Sequence, residues 1–233
     1  VKIVLVNKFG LDFGTTNSSI SISDGENVRV LEIDPQALDP RVVRSMLYFA
    51  RRELQFDKKM SRGRLRDNIF NAGEISYIGE QQFLIGQPAV EKYLEDNKNR
   101  TPGTKRIIKT GRLINAQTLA VVQGGSWAVE EHYEEIDYGT GRLMQALKSA
   151  LKTAFKGTTI FGKFYTVEEL ISIFVSQIRH QAEKELGSSI ETITVGRPVY
   201  FSPDAAIDQK AQDRLEKAIK MSGFKEVSFQ FEP

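Results

Sequence analysis

The sequence contains no cysteine and only two histidines among its 233 residues. Without cysteine there are no disulfide bonds, thiolate nucleophiles or cysteine-ligated metals, and this usage is typical of a reducing compartment, so we expect a cytoplasmic protein. His132 and His180 lie near no candidate nucleophile and lack a paired metal-ligand spacing, which argues against a catalytic triad and a zinc site. No apolar run is long enough to cross a bilayer, and we expect no membrane partner.

An excess of charge of one sign is also lacking. The chain has 32 Lys and Arg residues against 30 Asp and Glu residues, a net charge of +2. Such a balance produces no field that would predict binding to nucleic acid. A basic tract over residues 51–66 contains a single aromatic residue, Phe56, that could stack on bases. A solvated loop is therefore the favoured interpretation of this tract.

The composition, 27% charged and 40% hydrophobic, predicts one or two globular units with a sizeable core. The chain begins with Val1 and ends with Pro233, and we expect it to be a segment of a longer protein.

Hydrophobic periodicity predicts an alternation of strands and helices. The predicted strands cover residues 9–13, 18–23, 28–33, 46–50, 192–195 and 227–231, and the predicted helices cover residues 88–94, 142–155, 167–186 and 208–221. The second helix is expected to end at Gly157, and the third to begin with a capping box of Thr166 and Glu169 and to end at Gly187. This order predicts an α/β fold in which residues 45–159 form an inserted α+β subdomain and residues 1–44 and 160–233 form the core.

The segment from Gly10 to Ser18 is the strongest candidate for a phosphate-binding turn, because it lies between two predicted strands. Gly14 would allow the backbone to approach a ligand, and the amides of Thr15, Thr16 and Asn17 could then point at an anion. A carboxylate from Asp12 would lie beside the phosphates, where it could hold a divalent cation directly or through water. The alternative is an ordinary hairpin with a threonine-rich turn.

A second phosphate signal, at residues 157–163, has the glycine and lysine spacing of a P-loop. Phe164 stands where a P-loop needs a metal-binding hydroxyl, and the segment does not join a strand to a helix. We therefore reject a P-loop at this place.

Lys148 lies on the polar face of the predicted helix 142–155, with Lys152 and Lys156 one and two turns further along. From spacing alone, a solvated lysine face is the favoured interpretation.

Several segments, in one order, resemble the nucleotide-binding domain of the heat-shock protein 70 (DnaK-type) chaperones, and most of all their YegD-like branch. The turn at residues 10–18 resembles the first phosphate motif of this family. The other similar segments are Arg44-Ser45-Met46-Leu47-Tyr48-Phe49, Ile85-Gly86-Gln87-Pro88-Ala89, Tyr165-Thr166-Val167-Glu168-Glu169-Leu170, Ala182-Glu183-Lys184-Glu185-Leu186-Gly187, Ile193-Thr194-Val195-Gly196-Arg197-Pro198-Val199-Tyr200-Phe201 and Phe229-Gln230-Phe231-Glu232-Pro233. Residues 95–140 have no counterpart in the resemblance.

The resemblance implies the first lobe of an actin-like ATPase (ribonuclease H-like) fold, which binds ATP or ADP with Mg²⁺ between two lobes. It implies that Asp12 orients the hydrated Mg²⁺ and that Thr15, Thr16 and Asn17 bind the β and γ phosphates. Glu232 would lie near the metal and contact it through water. The catalytic lysine of the family matches Lys148 best, in Leu147-Lys148-Ser149-Ala150-Leu151, and Lys152, Lys105 and Lys109 are the alternatives. The implied partners are the nucleotide and protein clients or co-chaperones.

Two departures from the family pattern limit what the resemblance implies. The second phosphate loop and the adenosine-binding segment of the family lie downstream of the Glu232-Pro233 pair, so this segment is not expected to hydrolyse ATP efficiently by itself. In the helix after the switch proline, here Pro198, the family has an arginine where this chain has Gln212, with Arg214 nearby. Coupling to a peptide-binding domain is therefore not implied.

Two other functions stay open at this stage. A sugar or metabolite kinase of the same superfamily also begins with an Asp-x-Gly-Thr-Thr turn, but the segment from Tyr165 to Pro233 argues against it and no carboxylate base can be identified. A binding module without turnover is the other alternative, suggested by the missing second lobe and by the long insertion.

Overall fold

The structure, a computed structural model, describes residues 8–50, 82–98, 106–111, 130–135, 141–161 and 163–232. The strands are β1 (Lys8–Phe13), β2 (Asn17–Ser23), β3 (Val28–Val30), β4 (Val43–Arg44), β5 (Met46–Ala50), β6 (Gln82–Ile85), β7 (Arg106–Gly111), β8 (Glu130–Glu135), β9 (Gly141–Gln145), β10 (Gly157–Ile160), β11 (Lys163–Thr166), β12 (Thr192–Arg197) and β13 (Glu226–Phe231). The helices are α1 (Gly86–Asn97), α2 (Leu147–Ala150), α3 (Val167–Leu186) and α4 (Ala205–Met221). The basic tract 51–66 and Lys105 lie outside the described residues. The described part of the chain is mixed α/β, as predicted.

The two ends of the chain form one sheet, in the order β13-β12-β1-β2-β3, with β4 paired to β2. Strand β12 runs parallel to both β1 and β13, whereas β2 is antiparallel to β1. The register Leu11↔Val195 and Val195↔Phe229 aligns the carboxyl ends of the three parallel strands. Residues that follow these strands therefore come together at one edge of the sheet.

One face of the central sheet is apolar and is covered by the helices α3 and α4, which also pack on each other. Leu11 and Phe13 of β1, Ile20 of β2 and Val195 of β12 alternate inward and are fully or almost fully buried. This alternation is the period of two that a half-buried strand requires. The side of the sheet that carries Asp12 is consequently the polar one.

The helix α3 has the ends that the sequence predicts. Thr166 Oγ1 accepts a hydrogen bond from the Glu169 amide, and the Glu169 carboxylate accepts one from the Thr166 amide, which completes the capping box. Gly187 ends the helix in the left-handed conformation, with φ of 67°. Helix α4 begins three residues before the predicted start, because Asp204 accepts hydrogen bonds from the amides of Ala206 and Ile207 and acts as the N-cap.

The predicted helix over residues 142–155 is wrong. Residues 141–145 form β9, which pairs antiparallel with β5 in the sheet β6-β5-β9, and only Leu147–Ala150 are helical. Ala146 separates the two with a left-handed φ of 55°. Leu143 and Met144 have apolar side chains that are compatible with a helix or a strand, and hydrogen bonding to β5 makes this segment a strand. Gly157 does not end a helix but begins β10.

The segment with P-loop spacing is a hairpin, as its lack of P-loop context indicates. Strand β10 pairs antiparallel with β11, with Gly157 opposite Thr166 and Ile160 opposite Lys163. The predicted strand over 28–33 ends at Val30, although Leu31 and Ile33 remain buried.

The strands β5 and β9 are in a separate sheet, yet they share the core of the central sheet. Leu47 and Phe49 of β5 belong to the same buried cluster as Phe13 and Phe174. The strands β7 and β8 pair with each other. Among the described residues, no helix is both long and apolar enough to cross a membrane.

Candidate functional site

The turn between β1 and β2 is closed by a close approach of two backbone segments. A Cβ on Gly14 would lie 2.1 Å from the Asn17 carbonyl oxygen, so only glycine fits this turn without a shift of the backbone. Because β1 ends at Phe13 and β2 begins at Asn17, the loop between them consists of only Gly14, Thr15 and Thr16.

Ser45 holds the turn from the side. Its Oγ donates to the Gly14 carbonyl oxygen at 2.8 Å, and its amide donates to the Thr16 carbonyl oxygen at 2.8 Å. Since a serine hydroxyl has one hydrogen, the 2.9 Å contact of the Ser45 and Ser18 hydroxyls uses Ser18 as the donor. No spacing or motif in the sequence singles out Ser45, which lies in the segment 44–49 that resembles the chaperone family.

The outer side of the turn is left to solvent. Thr15, Thr16 and Asn17 are exposed, whereas Ser18 is buried. None of the hydrogen bonds among the described turn and loop residues uses the amide of Thr15 or Thr16 as a donor. These two amides are therefore not used by a partner among those residues, and each could donate to an anion.

Asp12 is exposed between two buried residues of β1, Leu11 and Phe13. Its side chain is on the polar side of the sheet, at the carboxyl end of a parallel strand. In α/β sheets this edge is where ligands usually bind.

Glu232 and Lys148 meet at the same edge, although they are 84 residues apart in the sequence. Lys148 Nζ donates to Glu232 Oε1 at 2.7 Å, and the exposed fractions of the two side chains are 12% and 34%. A Cβ on Gly196 would lie 3.5 Å from Glu232 Oε1 and 3.7 Å from the Leu11 carbonyl oxygen. Glu232 is therefore close to the end of β1, where Asp12 follows Leu11.

The four candidate lysines, Lys148, Lys152, Lys105 and Lys109, differ in their surroundings. Lys148 is mostly buried and paired, whereas Lys152 is exposed, as is Lys156 of the predicted lysine face. The solvated lysine face inferred from helical spacing does not exist, because the helix ends at Ala150. Lys109 lies on β7, where the side chains are not described, and Lys105 is outside the described residues.

Arg197 holds the backbone of Glu232, a contact that the sequence analysis missed. The Glu232 amide donates to the Arg197 carbonyl oxygen at 2.8 Å. The buried Arg197 guanidinium donates to Asp208 and to Gln212. A hydrogen bond from the Phe201 amide, helped by the one from Arg197, lowers the pKa of Asp208 and keeps this carboxylate ionised.

The exposed Asp12 and the partly buried Glu232 are carboxylates that could hold a metal ion through its waters. Among the described residues, no three His, Cys, Asp or Glu residues are grouped so that they could hold a metal ion together. Mg²⁺ commonly keeps several waters and binds through one or two carboxylates and the phosphates of its substrate. Asp12 and Glu232 supply oxygen ligands of that kind.

No protein-family model matches this chain. The class of the protein, mixed α/β, follows from the structure, and its function is inferred from the site.

Proposed function

We propose that this chain is the ATP-binding first lobe of a heat-shock-70-like, chaperone-related ATPase with an actin-like fold. The observation that carries the proposal is the ion pair of Lys148 and Glu232 at the edge of the sheet that also presents the turn at Gly14. Lys148, Glu232 and the turn at Gly14 lie in three separate segments of the sequence, and the resemblance to the chaperone family implies a role in the site for each of them. The mixed sheet, with two helices on its apolar face, supports the actin-like fold.

The turn supplies the binding of phosphate. The amides of Thr15 and Thr16 have no acceptor among the described turn and loop residues and would donate to the β and γ phosphates of ATP. Ser45 fixes the carbonyl oxygens of Gly14 and Thr16, so the donors are oriented before the ligand binds. Oriented donors of this kind stabilise the charge that develops during phosphoryl transfer.

Lys148 supplies the positive charge and Glu232 holds it in place. The ammonium group, mostly removed from solvent, would interact with the γ phosphate more strongly than an exposed lysine could. Asp12 and Glu232 would hold a hydrated Mg²⁺ through its waters. When bound, the metal neutralises phosphate charge.

Calorimetry of Mg-ATP binding to this chain tests the proposal. Asp12→Ala should abolish the Mg²⁺-dependent part of the affinity while the fold, followed by circular dichroism, is retained. Glu26→Ala, which removes an exposed carboxylate from the turn after β2, is the control and should bind ATP like the unchanged chain. Unchanged affinity of Asp12→Ala would contradict the role of Asp12.

Turnover is measured with the full-length protein. Lys148→Ala should lower kcat by roughly a hundredfold, the order of effect of removing one preorganised electrostatic group, and Lys152→Ala should leave it unchanged. ATP consumption that requires an added sugar would favour the kinase of the same superfamily. Mg-ATP binding by neither the chain nor the full-length protein would overturn the proposal and favour an interaction module.

A further inference from the structure

The guanidinium group of Arg214, on α4, is buried and contacts a segment 63 residues earlier in the chain. Its Nη1 donates to the carbonyl oxygens of Ala150 and Leu151 at 3.2 and 3.1 Å, and more weakly to that of Thr153 at 3.4 Å. Its Nη2 donates to the Phe155 carbonyl oxygen at 3.0 Å. Arg214 thus binds four carbonyl oxygens of the segment 150–155, which begins two residues after Lys148.

The internal hydrogen bonds of the segment 146–155 span at most three residues and form only single turns, such as the one from the Leu151 amide to the Lys148 carbonyl oxygen. Helix α2 is a single turn of four residues, and a helix this short is not stable by itself in water. It begins at the left-handed residue Ala146 without a side-chain cap, and the residues from Lys152 to Lys156 are exposed. The segment is attached to the rest of the molecule by the buried side chains of Leu147 and Leu151, by the Lys148–Glu232 ion pair and by the four contacts of Arg214.

Glu168 holds the other side of the guanidinium group. Arg214 Nε donates to Glu168 Oε1 at 2.6 Å, and both side chains are mostly buried. Glu168 lies in the first turn of α3, a long helix at the centre of the core. The segment with Lys148 is in this way attached through Arg214 to the two long helices α3 and α4.

We infer that Arg214 is the positioning residue for Lys148: its guanidinium fixes the backbone after α2 and so sets the position of Lys148 Nζ beside Glu232. The importance of this position for ATP turnover rests on the proposed function, whereas the contact itself does not. The planar guanidinium donates to several acceptors at once. A lysine at position 214 would keep the charge but could reach only some of the four carbonyl oxygens.

Labelling of lysine side chains with an amine-reactive reagent, read out residue by residue by mass spectrometry, tests the inference without any nucleotide. In Arg214→Gln, the labelling rate of Lys148 should rise about tenfold, because losing charged hydrogen bonds makes local opening easier by about that factor. Lys152, exposed in the same segment, should be labelled at an unchanged rate and serves as the internal control.

Arg179→Gln is the matched control variant. Arg179 also lies in the helical layer, where it pairs with Glu183 and contacts the Ser222 carbonyl oxygen, but it makes no contact with the segment 146–155. Its loss should change the labelling of neither Lys148 nor Lys152. If Arg214→Gln does not fold, Arg214→Lys is measured instead, with an intermediate rise expected at Lys148. Unchanged labelling of Lys148 in a folded Arg214 variant would overturn the inference.

Turnover of the full-length protein provides the functional readout. Arg214→Gln should lower kcat with the KM for ATP unchanged, and it should cause no further loss in a Lys148→Ala background. Equal losses in both backgrounds would mean that Arg214 does not act through Lys148. If no variant binds nucleotide, the proposed function fails, while the labelling still decides whether Arg214 positions Lys148.

Discussion

Single residues in the turn decide whether its amides can face a ligand. Gly14 is needed because a side chain there would meet the Asn17 carbonyl oxygen, and Ser45 is needed because it holds two of the turn's carbonyl oxygens. Neither residue would touch a phosphate through its side chain. Both act by fixing the backbone of the turn, whose amides would contact the phosphate.

We expect Gly14→Ala to deform the turn and to lower the free energy of unfolding by about 1 to 3 kcal/mol, the usual cost of forcing atoms into a packed site. Urea denaturation measures this cost. Gly196→Ala is the control, because its Cβ would lie 3.5 Å from the Glu232 side chain, an ordinary contact distance. Equal stability of Gly14→Ala and the unchanged chain would contradict the geometry of the turn.

Ser45→Ala should lower the free energy of unfolding by about 1 to 3 kcal/mol, because it leaves the buried Ser18 hydroxyl without its acceptor. Ser172→Ala is a matched buried serine whose hydroxyl donates to the Glu169 carbonyl oxygen within α3, and it should cost less. Thermal unfolding of both variants compares them. A larger loss in Ser172→Ala would argue against the bracing role of Ser45.

The ends of the elements are set by local side-chain chemistry where the sequence supplies caps. Helix α3 has a complete capping box, and helix α4 has Asp204. Helix α2 has neither, and its length and position depend on contacts with other elements.

Thr166→Ala should lower the free energy of unfolding by about 1 kcal/mol, because two groups at the start of α3 lose their hydrogen-bond partners. The midpoint of urea denaturation is the readout. Thr159→Ala, on the exposed side of β10, should stay within about 0.5 kcal/mol of the unchanged chain. If the two threonine variants were equally stable, the cap would contribute nothing to the fold.

At the scale of the whole molecule, one buried cluster connects the central sheet, β5 and the segment with Lys148. Arg214 and Glu168 form an ion pair between the helices that cover this cluster. Burial of the Glu168 carboxyl raises its pKa, but the hydrogen bond from Arg214, together with its charge, outweighs burial, and the pKa is lower than that of an ordinary glutamate.

Because of this lowered pKa, the free energy of unfolding should decrease as the pH falls into the acidic range. Because the folded pKa of Glu168 is lowered, its contribution is fully present above its unfolded pKa and is lost as the pH falls below about 4. Glu168→Gln should lower the free energy of unfolding by about 1.5 to 3 kcal/mol at pH 7. This variant should also lose less stability than the unchanged chain between about pH 6 and about pH 3, a range that includes the unfolded pKa of a glutamate.

Urea denaturation at a series of pH values measures this dependence. Glu216→Gln, which removes the exposed pair with Lys220, is the control and should change little at any pH. A pH profile of Glu168→Gln parallel to that of the unchanged chain would show that this carboxylate does not contribute to acid sensitivity.

Much of the fold follows from local sequence. The strands β1, β2, β5, β12 and β13 and the helices α1, α3 and α4 were predicted because their apolar residues have the period of the element and because caps and glycines mark the ends. The turn at Gly14 was predicted for the same reason, since glycine and small polar residues between two strands allow few other conformations.

The sequence by itself determined the α/β class, the polar side of β1 with Asp12, and the tight turn at Gly14, because these depend on neighbours within a few residues. Only the tertiary structure decided the rest of the site. Residues 142–145 became a strand because β5 offered hydrogen-bond partners, which helical periodicity cannot reveal. Lys148 left solvent because Glu232 and the contacts of Arg214, both more than 60 residues away, hold it at the edge of the sheet.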